Sequence, residues 1–319
     1  MFMRPAFRLL PDDTKFNFMR YRFAGLALSA LLSSASVALF FYPGLNLGID
    51  FRGGIVMDVQ TPQAEGQAKI VAVLNAAGLP QPQVQGFGAP NEVLVRFAAQ
   101  HDEAATQGLA DHARQALQGA FPGTSILKTD AVGSSVSHEL FINGLLALGI
   151  SLAMILVYIW IRFEMEFAIG AVVTLLLDVT KAIGFLAVTR IEFNLVMVAA
   201  ILTIIGYSTN DKVVVYDRMR ENLRKYKKMP LRELINLSIN ETLNRTLGTS
   251  GTVFLAALPL ALFGGETLSG FAWVMLFGIV VGTASSIYIA APILLLLGEK
   301  RLRREIQPAA TGTGRAVPR

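Results

Sequence analysis

The chain has 319 residues, of which 53% are hydrophobic and only 16% charged, and its mean hydropathy is +0.51. An ordinary soluble domain carries about a quarter charged residues, so the composition argues against an all-soluble enzyme, and the ample apolar surface excludes a disordered chain. The absence of cysteine rules out disulfides, thiolate metal sites and a cysteine nucleophile. The three histidines, His101, His112 and His138, have no ligand spacing, so neither a metal nor a cofactor is expected. The net charge of +5 calls for no nucleic acid, because cytoplasmic loops of membrane proteins collect lysine and arginine.

A helix needs about 20 mostly apolar residues to cross a bilayer, and six stretches qualify. They run from Arg22 to Tyr42, Leu140 to Ile161, Phe167 to Val188, Phe193 to Tyr216, Leu247 to Phe263 and Phe271 to Leu297. Positive charge gathers in the N-terminal arm (Arg4, Arg8, Lys15, Arg20, Arg22), after the fourth span (Arg218, Arg220, Arg224, Lys225, Lys227, Lys228, Arg232) and in the tail (Lys300, Arg301, Arg303, Arg304). Six spans put all three on one side, which the positive-inside rule makes cytoplasmic, so both termini are expected there. The first span is too long for a signal-peptide core and reads as a retained anchor. The expected organisation is a cytoplasmic arm at 1–21, a first transmembrane helix at 22–42 and an outer α+β domain at 43–139. A five-helix transmembrane region follows at 140–297, with a basic cytoplasmic loop at 217–243, and a basic cytoplasmic tail at 298–319. Leu231 to Ile239 is amphipathic with basic flanks and is expected at the cytoplasmic interface.

Within 43–139 the pattern is regular. Ile55 to Val59 alternates as a strand, Gln63 to Ala77 has helical spacing, and Val84 to Phe87 and Val93 to Phe97 read as strands. Glu103 to Leu117 is a second helix and Thr124 to Val132 a last strand. The order β-α-β-β-α-β is the split ferredoxin-like unit, with one open sheet face. No catalytic constellation occurs in it, so a solvated spacer and a binding face are both open readings.

Ionisable residues at membrane depth are costly unless paired or hydrated, which makes them functional candidates. Asp178 and Lys181 share a helix face at i, i+3 and can pair; an ion pair that only stabilises packing is the alternative. Asp211 and Lys212 sit in Gly206-Tyr207-Ser208-Thr209-Asn210-Asp211-Lys212, with Asp211 on the face of Tyr207 and Lys212 on that of Ser208 and Tyr216. Their alternative is snorkelling into headgroup water, more so for the longer lysine. Arg245, Thr249 and Thr252 recur at i, i+4, i+7 and form a polar stripe that could face Asp211 across a helix interface, the alternative for Arg245 being a routine positive-inside anchor. Gly278, Gly282 and Ser286, at a spacing of four, are a packing feature. No nucleotide-binding loop and no serine-histidine arrangement at membrane depth is present, and the Gly-x-Gly-Asp context of intramembrane aspartyl proteases is missing, so no enzyme is expected.

Several stretches in this order resemble the SecF side of the SecD/SecF family of protein-export membrane proteins. They are Leu47-Gly48-Ile49-Asp50-Phe51-Arg52-Gly53-Gly54, then Gly206-Tyr207-Ser208 with Asn210-Asp211, Val213 to Arg218, and Arg220-Glu221-Asn222. Asn244-Arg245-Thr246 with Thr249-Ser250 follows, and then Gly282-Thr283, Ser285-Ser286 and Ala290-Ala291-Pro292. The likeness runs from Phe16 to Leu297. Lys212, Leu177-Asp178, Thr180, Lys181, Val132-Gly133-Ser134 and Ser137 depart from the common family choices, which weakens Asp178 as a proton site.

The resemblance implies six transmembrane helices with one periplasmic domain, placed in the bacterial inner membrane and in the wider resistance-nodulation-division superfamily. It implies SecD, the SecYEG channel, YajC and an unfolded preprotein as partners, and use of the proton motive force to promote translocation and release on the periplasmic side. It places the proton carrier at Asp211 and its partner at Arg245, with Asn210, Tyr207, Thr249, Asp178 and Lys181 as auxiliary candidates. The rival readings are a non-transporting scaffold for SecD or the channel, and another proton-driven exporter of the superfamily.

Overall fold

The structure, a computed structural model, describes residues 14–86, 88–98 and 103–297. The arm residues Arg4 and Arg8, the tail cations and His101 lie outside the described residues. Six helices in it are long and apolar enough to cross a membrane, matching the six expected stretches. A 3-10 turn at Phe18–Tyr21 leads into α1 (Arg22–Phe41). After the α+β domain between the first two spans, called the outer domain for its expected side, come α5 (Ser134–Arg162), α6 (Met165–Thr189), α7 (Leu195–Lys225), α8 (Leu231–Phe263) and α9 (Gly265–Ser285). α9 continues through a π-helical turn, Ser286–Ala290, into α10 (Ala291–Leu297). Helices α6, α7 and α9 are the packed centre, while α1, α5 and α8 leave most of their surface uncovered.

Small residues set the close crossings. A Cβ on Gly278 would collide with Ile204 of α7, and one on Gly282 would press on Ser208 at 3.2 Å. The spacing-of-four stripe on α9 is therefore what lets it lie against α7, as small residues do between membrane helices. On α1 the buried residues are Ser29, Ser33 and Ser36. Ser36 occupies the space that a side chain at Gly184 would need, so α1 seats directly on α6.

The outer domain has β1 (Gly54–Gln60), α3 (Gln67–Ala76), β2 (Gln83–Gly86), β3 (Glu92–Phe97), α4 (Glu103–Ala120) and β4 (Ser125–Val132), preceded by the short α2 (Ile49–Arg52). Its antiparallel sheet has the order β2-β3-β1-β4, the split β-α-β arrangement with β3 inserted between β1 and β2. Alternation along β1 sends Ile55, Met57 and Val59 into a core with Val93, Val95 and Phe97, closed by Ile70 and Leu74 of α3 and by Ala113 and Leu117 of α4. Helix α3 starts later than the spacing suggests, after Gly66, which is itself in an extended conformation.

Two expectations change. The segment 217–243 is not a loop: α7 runs on to Lys225 and α8 starts at Leu231. The amphipathic stretch Leu231 to Ile239 is thus the first turns of α8 and not a separate interfacial element. Arg218 donates to Glu241 at 2.8 Å and Asn222 to Ser238 at 3.0 Å, which fastens the two helix extensions together. Second, the sheet's other face is partly covered. Leu94 is buried, and Arg96 forms an ion pair with Glu192 in the α6–α7 loop.

Candidate functional site

Two polar networks lie inside the helical centre, on either side of α7. The first involves Asp211, whose side chain is 2% exposed. Its Oδ2 accepts from Thr283 Oγ1 of α9 at 3.3 Å. Thr283 shares a 2.7 Å hydrogen bond with Ser250 Oγ of α8, and the Tyr207 hydroxyl donates to Ser250 at 2.7 Å. Residues from three helices thus form one hydroxyl chain ending on a carboxyl. Tyr207 and Asp211 meet the chain from one face of α7 because they are four residues apart.

The second network centres on Asp178 of α6. Its Oδ2 accepts from Ser208 Oγ and Ser285 Oγ, each at 2.7 Å, and from Lys212 Nζ at 2.8 Å. Lys212 also reaches Ser285 Oγ at 3.2 Å and the Ser208 carbonyl at 3.3 Å. Lys181 Nζ stands 3.6 Å from Asp178 Oδ1. The expected Asp178–Lys181 pair therefore exists, but Lys212 is the nearer cation. Lys212 is only 1% exposed and does not snorkel. A buried ammonium needs a carboxylate and further acceptors, and Asp178 with two serines supplies them.

Arg245 is exposed and lies in no ion pair with Asp211. Of the expected stripe, Arg245 and Thr252 are exposed, while Thr249 is half-buried beside Tyr207. Thr249 and Thr252 bond back to carbonyls of their own helix, and Ser250, one position along, turns inward in their place. Asn210 is also exposed. Of the sequence-selected residues, Asp211 and Tyr207 come together in one network and Asp178 and Lys181 in the other. Ser208, Ser285, Ser250 and Thr283 complete the networks; helical spacing puts Ser208 on the face of Lys212, and only inclusion in the motif stretches marks the other three.

A further set lies at the outer end of α7. The Gly48 amide donates to the Phe193 carbonyl at 2.9 Å, and the Phe193 amide to Asn46 at 2.7 Å. Asp50 Oδ2 accepts from the first α7 amide, Leu195 N, at 2.9 Å, a carboxylate set on the positive end of a helix. A Cβ on Gly48 would meet Glu192 Oε1 at 2.6 Å and press on Asn194 Cβ at 3.2 Å, so glycine lets the backbone come close without moving either residue. Gly53 (φ +69°) and Gly54 (φ +124°) take backbone conformations that other residues avoid. The stretch 47–54 is a joint between the outer domain and the helix that carries Asp211.

The fold and these sites define a multi-pass helical membrane protein with buried charge in its centre and one small outer α+β domain. The family model "Protein export membrane protein SecD/SecF, C-terminal" matches residues 112–300, and "SecD/SecF GG Motif" matches 38–64. "Protein translocase subunit SecF" of Rickettsia bellii (strain OSU 85-389) is 42% identical over 298 residues, which is 93% of this chain and 98% of that one. Its counterpart from Rickettsia rickettsii (strain Sheila Smith) is 43% identical over 300 residues, covering 94% and 97%. The crystal structure of SecDF, a translocon-associated membrane protein from Thermus thermophilus, matches with TM-score 0.82 and 32% identity. That match covers 92% of this chain, which spans 40% of the SecDF chain. The chain belongs to the SecD/SecF family of protein-export membrane proteins, and within it to the SecF subunits of the protein translocase.

Proposed function

We propose that this subunit works with SecD in the bacterial inner membrane, both termini cytoplasmic, and uses the proton motive force to promote preprotein translocation and release on the periplasmic side. SecD, the SecYEG channel, YajC and the emerging preprotein are its partners. Asp211 carries the proton, and Arg245 gates it by approaching and leaving. The observation that carries this reading is a carboxyl 2% exposed inside the helical centre, held through its side-chain oxygen by a neutral hydroxyl on α9. A carboxyl at that depth can hold charge only when its surroundings compensate it, so proton gain and loss demand a rearrangement around it. The chain Tyr207–Ser250–Thr283 spans α7, α8 and α9 and is the natural element to rearrange. In the observed arrangement Arg245 is exposed, which corresponds to the state in which neutral hydroxyls, with Lys212 nearby, hold Asp211.

The energy suffices. One charge crossing 100 mV is worth about 2.3 kcal/mol, and each unit of pH difference adds about 1.4 kcal/mol. That biases a two-state motion of a few kcal/mol. The joint at 47–54 passes motion of α7 to the outer domain. Asp211→Asn is expected to lower proton flux and export stimulation at least about tenfold in vesicles, with assembly on SecD unchanged. Native export by that variant defeats the proposal and leaves the scaffold reading. Arg245→Lys keeps charge but loses the planar fork, so a partial, few-fold loss is expected.

A further inference from the structure

We infer that Lys181 is a second proton-exchanging group, which gives up a proton when Asp211 takes one. The inference rests on the proposed role of Asp211 and starts from a charge count. Asp178 contacts both Lys181 and Lys212, and the three are 2%, 4% and 1% exposed in that order. Two ammonium groups thus meet one carboxylate. Asp211, 2% exposed and next to Lys212 on α7, is close enough to interact with it electrostatically. With all four ionised, the set is neutral. Protonating Asp211 alone leaves one positive charge in a buried site, which is expensive.

The two lysines are not equivalent. Lys212 has a full set of acceptors in Asp178, Ser285 and the Ser208 carbonyl. Lys181 has one 3.6 Å contact with the Asp178 oxygen that accepts no hydrogen bond. Lys181 also lines a cavity of about 310 Å³ between α1 and the end of α9. Tyr21, Leu28 and Leu32 on one side and Tyr288 and Ile289 on the other form its walls. Apart from Asp178 and Lys212, the polar groups around the amine and its cavity are neutral: Tyr21 of the 3-10 turn, Ser29 of α1, Ser285 of α9 and Tyr288 of its π turn. Lys181 is therefore the amine that can release its proton with least loss, and into a space that reaches α1's first turn.

The step balances. An O–H bond forms on Asp211 with a proton from the outer side. An N–H bond of Lys181 breaks, its electron pair stays on Nζ, and the proton goes to a water molecule admitted through the cavity, which carries it away as hydronium. The four-group set stays neutral. The cycle closes when Asp211 releases its proton to the inner side and Lys181 takes one back from that side, so one turn moves one proton inward.

The test uses Lys181→Arg and Lys181→Met in the full chain, co-produced with SecD, in membrane vesicles carrying a pH-sensitive dye. Arginine keeps the charge beside Asp178 but does not deprotonate, and the cavity has room for it; methionine leaves Asp178 and Lys212 as a matched pair. Both variants are expected to assemble within about twofold of native level and to lose proton flux at least about tenfold. Native flux in either variant overturns the inference. If Asp211→Asn abolishes flux while both Lys181 variants sustain it, the second site fails and the Asp211 reading stands. If Asp211→Asn sustains flux as well, both fail together.

Discussion

At the scale of single residues, the centre is held by what each charge finds next to it. Asp178 is the anchor for two cations, so Asp178→Asn leaves Lys181 and Lys212 buried without a contacting carboxylate. Removing one partner of a buried ion pair typically costs about 3–5 kcal/mol. A sharp fall in thermal stability of the purified complex is the expected result, and a stability unchanged by the substitution would show that water already solvates the site. The charged residues themselves were legible in the sequence, because ionisable groups stand out in apolar stretches. Their partners were not. Helical periodicity says that Lys212 and Ser208 share a face, but it does not say that Asp178 of α6 lies opposite. It marked Arg245, Thr249 and Thr252 as one face, yet Ser250 is the residue that turns toward Asp211. Arg245 has a long flexible stem and a charge that favours water, so the small hydroxyl takes the inside position.

At the scale of elements, α7 is fixed at both ends. Asp50 caps its first amide and Asn194 accepts from Met197 N at 3.1 Å. At the other end Arg218 and Asn222 tie it to α8. Loss of a helix cap costs about 1 kcal/mol. Asp50→Ala is therefore expected to raise hydrogen exchange at the amides of Leu195 to Met197 by about fivefold and to weaken export stimulation without lowering abundance. Unaltered exchange there would mean that Asn194 caps the helix alone. The extension of α7 beyond Tyr216 escaped the sequence reading for a simple reason. Hydropathy locates the bilayer, not the helix end, and the arginines, lysines and glutamate past Asp217 are good helix formers. The outer strands were legible to within a residue or two, because alternation along β1 and β3 reflects a core on one side only.

At the scale of the whole molecule, the outer domain does not stand free of the helices. Its sheet lies over the α6–α7 loop through Arg96 and Glu192, with a cavity of about 360 Å³ alongside. This docking joins residues far apart in sequence, and no local pattern announces it. The covered face also holds Asp58, which is half-buried on β1. Burial first, then the nearby Glu92, pushes its carboxyl above the ordinary value of 3.8, against the opposing pull of Lys128. A carboxyl raised in the folded state contributes stability that is complete below about its unfolded value and fades as pH rises through the folded one. Protection of β1 amides is thus expected to fall as pH climbs from about 4 toward neutral, and Asp58→Asn to flatten that dependence. A slope that persists in the variant would assign it to other carboxyls. Helix α7 has a wider consequence. Its 31 residues make a rod about 46 Å long, longer than the roughly 30 Å hydrocarbon slab, with Asp211 near its middle. Pivoted there, a lean of about 5° carries each tip about 2 Å in opposite directions. Under the proposed role of Asp211, a single hydrogen ion arriving at the fulcrum would be felt at both ends of the rod, as on the two arms of a seesaw.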